Sequence, residues 1–326
     1  MAITLSSIHL ALPASPFTPE FHAGQPSLVV PQHVPIPADI YAALLDVRVP
    51  LTIAAVYAVS AHLLNHCANG QPYAIAKTRL FKAFVVAHNI FLAVYSAWTF
   101  VGMVRGLHHA LDKSSLPNAI GSLCKIRQET RGVLMMGNGT STGIEGSFDG
   151  VPMEGLWEGA LAWYGWWFYL SKFYEVIDTA VILLKGRKSS LLQTYHHAGA
   201  MICMWAGIRY MAPPIWIFCI FNSLIHALMY TYYTLTGLHI RVPALLKQSL
   251  TTLQITQFIV GGSFAALHLF VKLDKETPCL SNSGEIFATF TNCFYLAPLT
   301  YLFVAFFVES YTKKGSKARE GAKKSQ

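Results

Sequence analysis

Seven apolar stretches, each close to the length that crosses a bilayer, dominate this sequence. The hydrocarbon layer of a membrane is about 30 Å thick, and a helix of about 20 residues spans it. Only 12% of the 326 residues are charged, against about 25% in an average soluble domain. Helices satisfy their own backbone groups in lipid, where there is no water to bind. We therefore predict an all-α membrane protein with about seven transmembrane helices, at 49–66, 83–104, 157–184, 191–209, 214–235, 250–271 and 286–308.

Basic residues between these stretches predict the orientation of the chain. Short cytosolic loops of membrane proteins are enriched in Lys and Arg, and here the basic short loops share one side if the N-terminus is lumenal. Residues 1–47 contain no Lys or Arg, so we expect no signal peptide. The predicted organisation is a Pro-rich lumenal tail at 1–46, a transmembrane domain at 47–310 with a lumenal loop at 105–156, and a basic cytosolic tail at 311–326.

Short signals near the ends of this scheme predict the endoplasmic reticulum membrane. Asn138 begins a glycosylation sequon in the predicted lumenal loop. Lys323-Lys324 occupy the positions of a dilysine retrieval signal at a cytosolic C-terminus. Cys124 and Cys279 both fall in lumenal loops, an oxidising compartment, and whether they pair is left open. The net charge of +8 follows from the topology, and no nucleic-acid partner is expected.

A first group of polar residues lies inside the third apolar stretch. Lys172, Glu175, Asp178 and Thr179 are spaced so that they share one face of a helix. Ionisable side chains within a membrane segment are costly, and they face a bundle interior or a water-filled cavity. The group is therefore a salt-bridge ladder that fixes packing, a functional site, or both.

Three further polar groups repeat at helical spacing near the predicted cytosolic ends of later helices. Taken singly, each is explained by hydrogen bonds between helices or by a belt of interfacial tyrosines. Four such stripes at one depth predict a single polar chamber that opens to the cytosol. The three groups are Gln193, His196 and His197; Asn222, His226, Tyr230 and Tyr233; and Thr251, Gln254 and Gln257.

Two other classes of membrane protein compete with an enzyme that uses histidine directly. A di-iron fatty acyl desaturase needs about eight histidine ligands, and the spacing of His62 and His66 fits one of its boxes. The other boxes fail, because Arg105 and Gln193 stand where ligands belong and neither is a usual iron ligand. A seven-helix receptor or lipid carrier would not explain the charged and histidine-bearing stripes.

A neutral imidazole is also a nucleophile that forms covalent intermediates, and an acyl-imidazole suits acyl transfer from a thioester. The polar groups resemble, in order and spacing, the motifs of the ELO family of very-long-chain fatty acid elongases. The matching motifs are Lys172-x-x-Glu175-x-x-Asp178-Thr179, Gln193-x-x-His196-His197, His226-x-x-Met229-Tyr230-x-Tyr232-Tyr233, Thr251-x-x-Gln254-x-x-Gln257 and His88-Asn89. The sequence around the histidine pair is most similar to fungal members. Gln193 stands where many members have His, and this resembles elongases that act on polyunsaturated chains.

The resemblance implies both a fold and a reaction. It implies seven transmembrane helices, six of them arranged as a barrel around a narrow acyl tunnel. It also implies a 3-oxoacyl-CoA synthase, an acyltransferase that condenses long-chain acyl-CoA with malonyl-CoA and releases CO₂ and CoA. No metal or other cofactor is expected. Downstream reductases and a dehydratase are the expected partners in the elongation cycle, and a homodimer is left open.

Each polar group receives an expected role under this reading. His196 is the candidate nucleophile, with His226 as the alternative, and carboxylates are expected to orient the imidazoles. The expected catalytic residues are His196, His197, His226, Asp178, Glu175 and Lys172. The expected substrate-binding residues are Gln193, Asn222, Tyr230, Tyr233, Gln254, Gln257 and the basic trio Lys185, Arg187 and Lys188, which would meet CoA phosphates.

Overall fold

The computed structural model describes residues 8–10, 35–124, 147–148, 151–152, 155–273 and 277–313. Its regular structure is almost entirely helical, as predicted. The helices are α1 Ala38–Leu44, α2 Arg48–Cys67, α3 Ala74–Lys77, α4 Arg79–Ala110, α5 Leu116–Cys124, α6 Trp166–Tyr174, α7 Val176–Leu184, α8 Leu191–Arg209, α9 Ile215–Gly237, α10 Ala244–Leu267 and α11 Ser283–Phe307. A π-helical segment, Trp157–Gly165, leads into α6, and a second, Val308–Lys313, continues α11.

The strands in the described residues form two short antiparallel pairs, and one isolated bridge joins Lys272 and Pro278. Strand β1, His9–Leu10, pairs with β4, Val271–Lys272, and β2, Ser147–Phe148, pairs with β3, Val151–Pro152. Pairs of two residues cannot form a core, so the helices hold the fold together.

Four helices in the described part of the chain are long and apolar enough to cross a membrane by themselves. They are α4, α9, α10, and α11 with its π-helical continuation. A fifth span results if α1 and α2, which are bent by 47° at their junction, count as one. The protein is therefore a multi-pass membrane protein, while the predicted number of seven spans remains a prediction. Of the other two predicted spans, 157–184 is divided into the π-helical segment, α6 and α7. The span 191–209 forms α8, which carries a polar face.

Side-chain caps explain where several helices begin. The hydroxyl of Ser190 accepts a hydrogen bond from the backbone N–H of Gln193 at 3.1 Å, which starts α8. Asn282 does the same for Glu285 at 3.0 Å, and Glu285 accepts from the N–H of Ser281 at 2.6 Å. Caps of this kind satisfy backbone donors that a helix start leaves free. The Ser190 cap fixes where Gln193 and the two histidines after it lie on α8.

Helix packing places the polar stripes toward one another. Helix α4 packs against α9 and the π-helical segment, α9 against α10, α10 against α11, and α11 against α8. Helix α8 also packs against α2 and α6. Side chains that are fully buried between these helices include Tyr169, Met204 and Tyr230. Large apolar side chains such as Phe294 are exposed on the outside, as expected for a surface that contacts lipid.

One disulfide and one hydrogen-bonded link close the two ends of the bundle. Cys124 at the end of α5 forms a disulfide with Cys279, in the connection between α10 and α11, which resolves the pairing that the sequence left open. At the opposite end, Asn65 exchanges two hydrogen bonds with the backbone of Ser189, at 2.9 and 2.8 Å. This exchange joins the end of α2 to the segment before α8. Asn138 and Lys323-Lys324 lie outside the described residues.

Candidate active site

A buried carboxylate, Glu175, is the centre of a polar cluster formed by several helices. It lies between α6 and α7 and is only 2% exposed. Lys172, one turn earlier, places its ammonium 2.7 Å from Glu175 Oε1, and the Ser171 hydroxyl donates to the same oxygen at 3.2 Å. The ammonium also lies 3.9 Å above the ring of Phe168, a cation–π contact. Charges buried this deeply are tolerated when they are paired and hydrogen-bonded.

Two imidazoles face the same carboxylate from neighbouring helices. His226 Nδ1 on α9 lies 3.6 Å from Glu175 Oε1, and His197 Nδ1 on α8 lies 4.0 Å from Glu175 Oε2. Gln193 Nε2 donates to His197 Nε2 at 2.8 Å. Because that nitrogen accepts a hydrogen bond, neutral His197 carries its proton on Nδ1, directed toward Glu175.

His196 completes the cluster and differs from His197 in having no carboxylate partner among the described residues. Its ring centroid lies 6.0 Å from that of His226 and 5.3 Å from that of His197. Its Nδ1 is instead 2.8 Å from the hydroxyl of Tyr295 on α11. The other ring nitrogen, Nε2, makes no hydrogen bond within the described structure that would occupy its lone pair.

Asp178 belongs to a second network beside the first. Its Oδ1 lies 2.8 Å from His88 Nε2, and its Oδ2 accepts the Tyr230 hydroxyl at 2.5 Å. The next residue, Thr179, bonds the hydroxyl of Tyr57 at 2.8 Å. Asp178 therefore orients His88 and Tyr230 directly, whereas Glu175 is the carboxylate beside His197 and His226.

Other residues that the sequence predicted to bind substrate differ in their contacts and exposure. Gln254 Nε2 donates to the sulfur of Met229 at 3.5 Å, and the Tyr233 ring packs on that of Tyr230 with 42% of the residue exposed. Lys185 at the end of α7 is partly buried, while Arg187 and Lys188 in the following turn are exposed. Burial lowers the pKa of Lys185, and the charge of Arg187 lowers it further.

A small apolar cavity of about 20 Å³ lies between α9, α10 and α11. Three amides, Asn222, Gln257 and Asn292, interrupt its lining of aromatic and aliphatic side chains. Lys172 donates to Asn222 Oδ1 at 3.2 Å, so the Asn222 amide nitrogen is left as a donor. Among the described residues, that nitrogen, Gln257 Oε1 and Asn292 Oδ1 are buried without a hydrogen-bond partner. Such groups are rare in folded proteins and need an explanation.

Sequence reasoning missed two residues of this site, both on α11. Tyr295 contacts His196, and Asn292 lines the cavity one turn away. The signal that could have found them is a polar helix face, because Thr289, Asn292 and Tyr295 are spaced at i, i+3 and i+6. His88 belongs to a motif that the sequence shows, but spacing does not predict its contact with Asp178.

Metal-ligand groups do not converge in the described residues. No set of three or more His, Cys, Asp or Glu side chains is placed to hold an ion. His62 and His66 contact each other on α2, and His108 lies beside Lys113 at the far end of α4. The histidines that a di-iron centre would need are thus divided among separate regions of the bundle.

Several helices of a membrane bundle thus enclose imidazoles, a carboxylate and an ammonium together. Such a constellation is typical of a membrane-embedded enzyme that works by nucleophilic and acid–base chemistry. The sequence model of the GNS1/SUR4 (ELO) family matches residues 42–319. The chain belongs to the ELO family of fatty acid elongases and is an acyltransferase of fatty acid elongation, as its motifs predicted.

Individual relatives agree with this assignment. The long chain fatty acid elongase 1 of Caenorhabditis elegans is 35% identical over 232 residues, which cover 70% of this chain and 69% of that protein. The very long chain fatty acid elongase 3 of Homo sapiens is 32% identical over 158 residues, or 48% of this chain and 56% of that protein. Fatty acid elongase A of Dictyostelium discoideum is 29% identical over 237 residues, covering 72% and 73%.

Proposed function

We propose that this enzyme condenses a long-chain acyl-CoA with malonyl-CoA, giving a 3-oxoacyl-CoA two carbons longer, CO₂ and CoA. The observation that carries the proposal is the pair His196 and His226, whose rings lie 6.0 Å apart on adjacent sides of one buried cluster. An acyl group held on His196 is within reach of a malonyl thioester that His226 polarises. Proximity of this kind converts a bimolecular step into an effectively unimolecular one.

In the first half-reaction, His196 Nε2 attacks the thioester carbon of acyl-CoA. The C–S bond breaks, the acyl group stays on the imidazole, and CoA leaves as its thiolate and takes a proton from water. His196 is favoured over His226 as the nucleophile because its Nδ1 forms a hydrogen bond with a neutral hydroxyl. His226 faces the Glu175 carboxylate instead, which suits a group that gains and loses a proton.

In the second half-reaction, malonyl-CoA loses CO₂ and the resulting enolate attacks the acyl carbon. His226 polarises the malonyl thioester, and Glu175 stabilises positive charge on that imidazole. Lys172 balances the Glu175 charge and favours the approach of the malonyl carboxylate. His197 has Gln193 at 2.8 Å from one ring nitrogen and Glu175 at 4.0 Å from the other, so it positions the Glu175 carboxylate and does not contact the carbonyl under attack. The enolate takes the acyl group from His196, which returns as a neutral imidazole.

The acyl chain extends from the histidines into the bundle. Asn222 lies one turn, about 5.4 Å, from His226 on α9, so the cavity that it lines begins next to the histidine pair. The order of neighbouring helices supports the six-helix barrel that the family resemblance implies, because α4, α9, α10, α11, α8 and α6 pack as successive neighbours. Burial of each CH₂ contributes about 0.8 kcal/mol, so tunnel depth sets chain length. The walls and mouth of this site are supported by Gln254, Gln257, Tyr230, Tyr233 and Asp178.

The enzyme lies in the endoplasmic reticulum membrane with a lumenal N-terminus and a cytosolic C-terminus. The Cys124–Cys279 disulfide supports a lumenal position for both of its segments, because disulfides persist in oxidising compartments. The opposite end of the bundle carries Lys185, Arg187 and Lys188, which meet CoA phosphates at the cytosolic mouth. The organisation is a lumenal tail at 1–46, a transmembrane domain at 47–310 and a cytosolic tail at 311–326. Downstream reductases and a dehydratase complete the cycle.

The test is an elongation assay with membranes that contain the expressed chain. Labelled malonyl-CoA and a panel of acyl-CoAs, varied in length and double bonds, identify the product and the preferred substrate. His196→Ala is expected to abolish 3-oxoacyl-CoA formation, while His109→Ala, at an exposed histidine near the end of α4, leaves it intact. Incubation with acyl-CoA alone should release CoA and add an acyl mass to a peptide containing His196. Normal turnover by His196→Ala would remove this residue from the mechanism.

A further inference from the structure

The hydroxyl of Tyr295 makes two contacts with the same residue of α8. It lies 2.8 Å from His196 Nδ1 and 3.1 Å from the backbone carbonyl of His196. Tyr295 is 5% exposed, so water does not compete for these contacts. It lies on α11, outside all of the polar motifs in the sequence.

The position of this hydroxyl is fixed by packing between α8 and α11. The Tyr295 ring stacks on that of Tyr195, with centroids 5.8 Å apart. The Tyr195 hydroxyl donates in return to the backbone carbonyl of Tyr295 at 3.2 Å. Gly199 provides the space for the ring, because a Cβ at that position would overlap the Tyr295 side chain. A residue locked in this way holds its hydroxyl at a fixed place relative to the imidazole.

Proton counting gives the hydroxyl a specific role. A tyrosine hydroxyl has one proton to donate, and a backbone carbonyl can only accept. When the Tyr295 proton goes to the His196 carbonyl, the Tyr295 oxygen must accept the proton of Nδ1. We propose that Tyr295 is a positioning residue that holds neutral His196 as its Nδ1–H tautomer, so that the Nε2 lone pair is the one available for attack.

This inference rests on the proposed role of His196 and adds a reason for its reactivity. Attack through Nε2 leaves the Nδ1 proton in place, and the acyl-imidazole carries positive charge while the CoA thiolate departs. The Tyr295 oxygen accepts from that charged N–H. When the enolate takes the acyl group, the C–N bond breaks and its electron pair returns to Nε2. The Nδ1 proton therefore stays on the ring throughout the cycle, and Tyr295 needs to move no proton.

The kinetic test compares two tyrosine variants in the first half-reaction. Tyr295→Phe removes the hydroxyl beside the imidazole, whereas Tyr195→Phe removes a hydroxyl that joins the same two helices without contacting it. Rapid measurement of CoA release in the absence of malonyl-CoA should show acylation slowed about tenfold by Tyr295→Phe, the effect of losing one hydrogen bond. The concentration of acyl-CoA for half-maximal rate should not change. Tyr195→Phe should stay within about twofold of the native rate.

Nitrogen NMR of ¹⁵N-histidine-labelled enzyme reads the tautomer directly, with His196→Ala identifying the signal. We expect Nδ1–H in the native enzyme and a shift toward Nε2–H in Tyr295→Phe. An Nε2–H tautomer in the native enzyme would overturn the inference even if Tyr295→Phe does not fold, and so would equal acylation rates in the two tyrosine variants. Acylation by His196→Ala would instead overturn the proposed nucleophile, so the two failures are distinguishable.

Discussion

At the residue scale, the Lys172–Glu175 pair connects folding to chemistry. Glu175 touches the ammonium of Lys172 and faces two imidazoles, and both charged residues are almost completely buried. A buried pair of this kind is weak evidence for net stability, but removal of one member leaves an unpaired charge in the interior. Stability and activity must therefore be measured separately for any variant of these two residues.

We predict that Lys172→Met and Glu175→Gln each lower the free energy of unfolding by about 3–5 kcal/mol, and that the double variant loses much less than their sum. Each single change leaves one buried charge unpaired, while the double change removes both. Thermal unfolding of the purified enzyme in detergent measures the coupling. Condensation should be lost in all three variants, because each removes a charge from beside the histidines. Strictly additive losses of stability would mean that the two charges do not act as a pair.

Residues that share a helix face were predictable, and contacts between helices were not. The spacing of Gln193, His196 and His197 gave their common face, because helical periodicity is a local property. The partner of His196 depends on how α8 approaches α11, because the polar face of Thr289, Asn292 and Tyr295 does not reveal which helix it meets. Asp178 shares a stripe with Glu175 in sequence, but it contacts His88 on α4. Such choices are made by packing.

At the element scale, hydropathy located the helices better than it described their shape. The stretch 83–104 lies within α4, which extends over Arg79–Ala110. Hydropathy underestimated its length because the ends of α4 carry polar residues that an apolar window leaves out. The stretch 157–184 was predicted as one span and consists of a π-helical segment, α6 and α7. A change from α-helical to π-helical hydrogen bonding leaves no mark on mean hydropathy. Glu175 lies at the junction of α6 and α7, which places the central carboxylate where the helix is interrupted.

The close packing of α4 on the π-helical segment predicts how a glycine variant at their crossing affects stability. A Cβ at Gly106 would overlap that of Ala160, and small residues at such crossings let two helices approach closely in membranes. Gly106→Ala should lower the free energy of unfolding by about 1–3 kcal/mol, as overpacking does. Gly262→Ala is the matched control on α10, where the nearest atom lies at 3.4 Å. It should be neutral or stabilising by about 0.5–1 kcal/mol. Equal thermal shifts for the two variants would show that this crossing tolerates a methyl group.

At the scale of the whole molecule, the disulfide and the exposed thiol lie at opposite ends of the bundle. Cys124 and Cys279 are joined beyond the last turns of α4 and α10. Cys67 is an exposed free thiol at the end of α2, beside the segment that leads into α8. The proposed topology places the disulfide in the lumen and Cys67 in the cytosol. The charge pattern of the loops predicted this arrangement, but only folding brings together two cysteines 155 residues apart.

Thiol labelling of sealed microsomes tests that arrangement. A bulky, membrane-impermeant maleimide should add one label, at Cys67, because Cys203 and Cys219 are buried and Cys293 lies within a membrane helix. Cys67→Ser should abolish this labelling. An impermeant reductant added outside should not change it, whereas reduction after the membrane is opened should add labels at Cys124 and Cys279. Labelling of those two cysteines in sealed vesicles would place the disulfide on the cytosolic face and reverse the proposed topology, together with the side from which acyl-CoA enters.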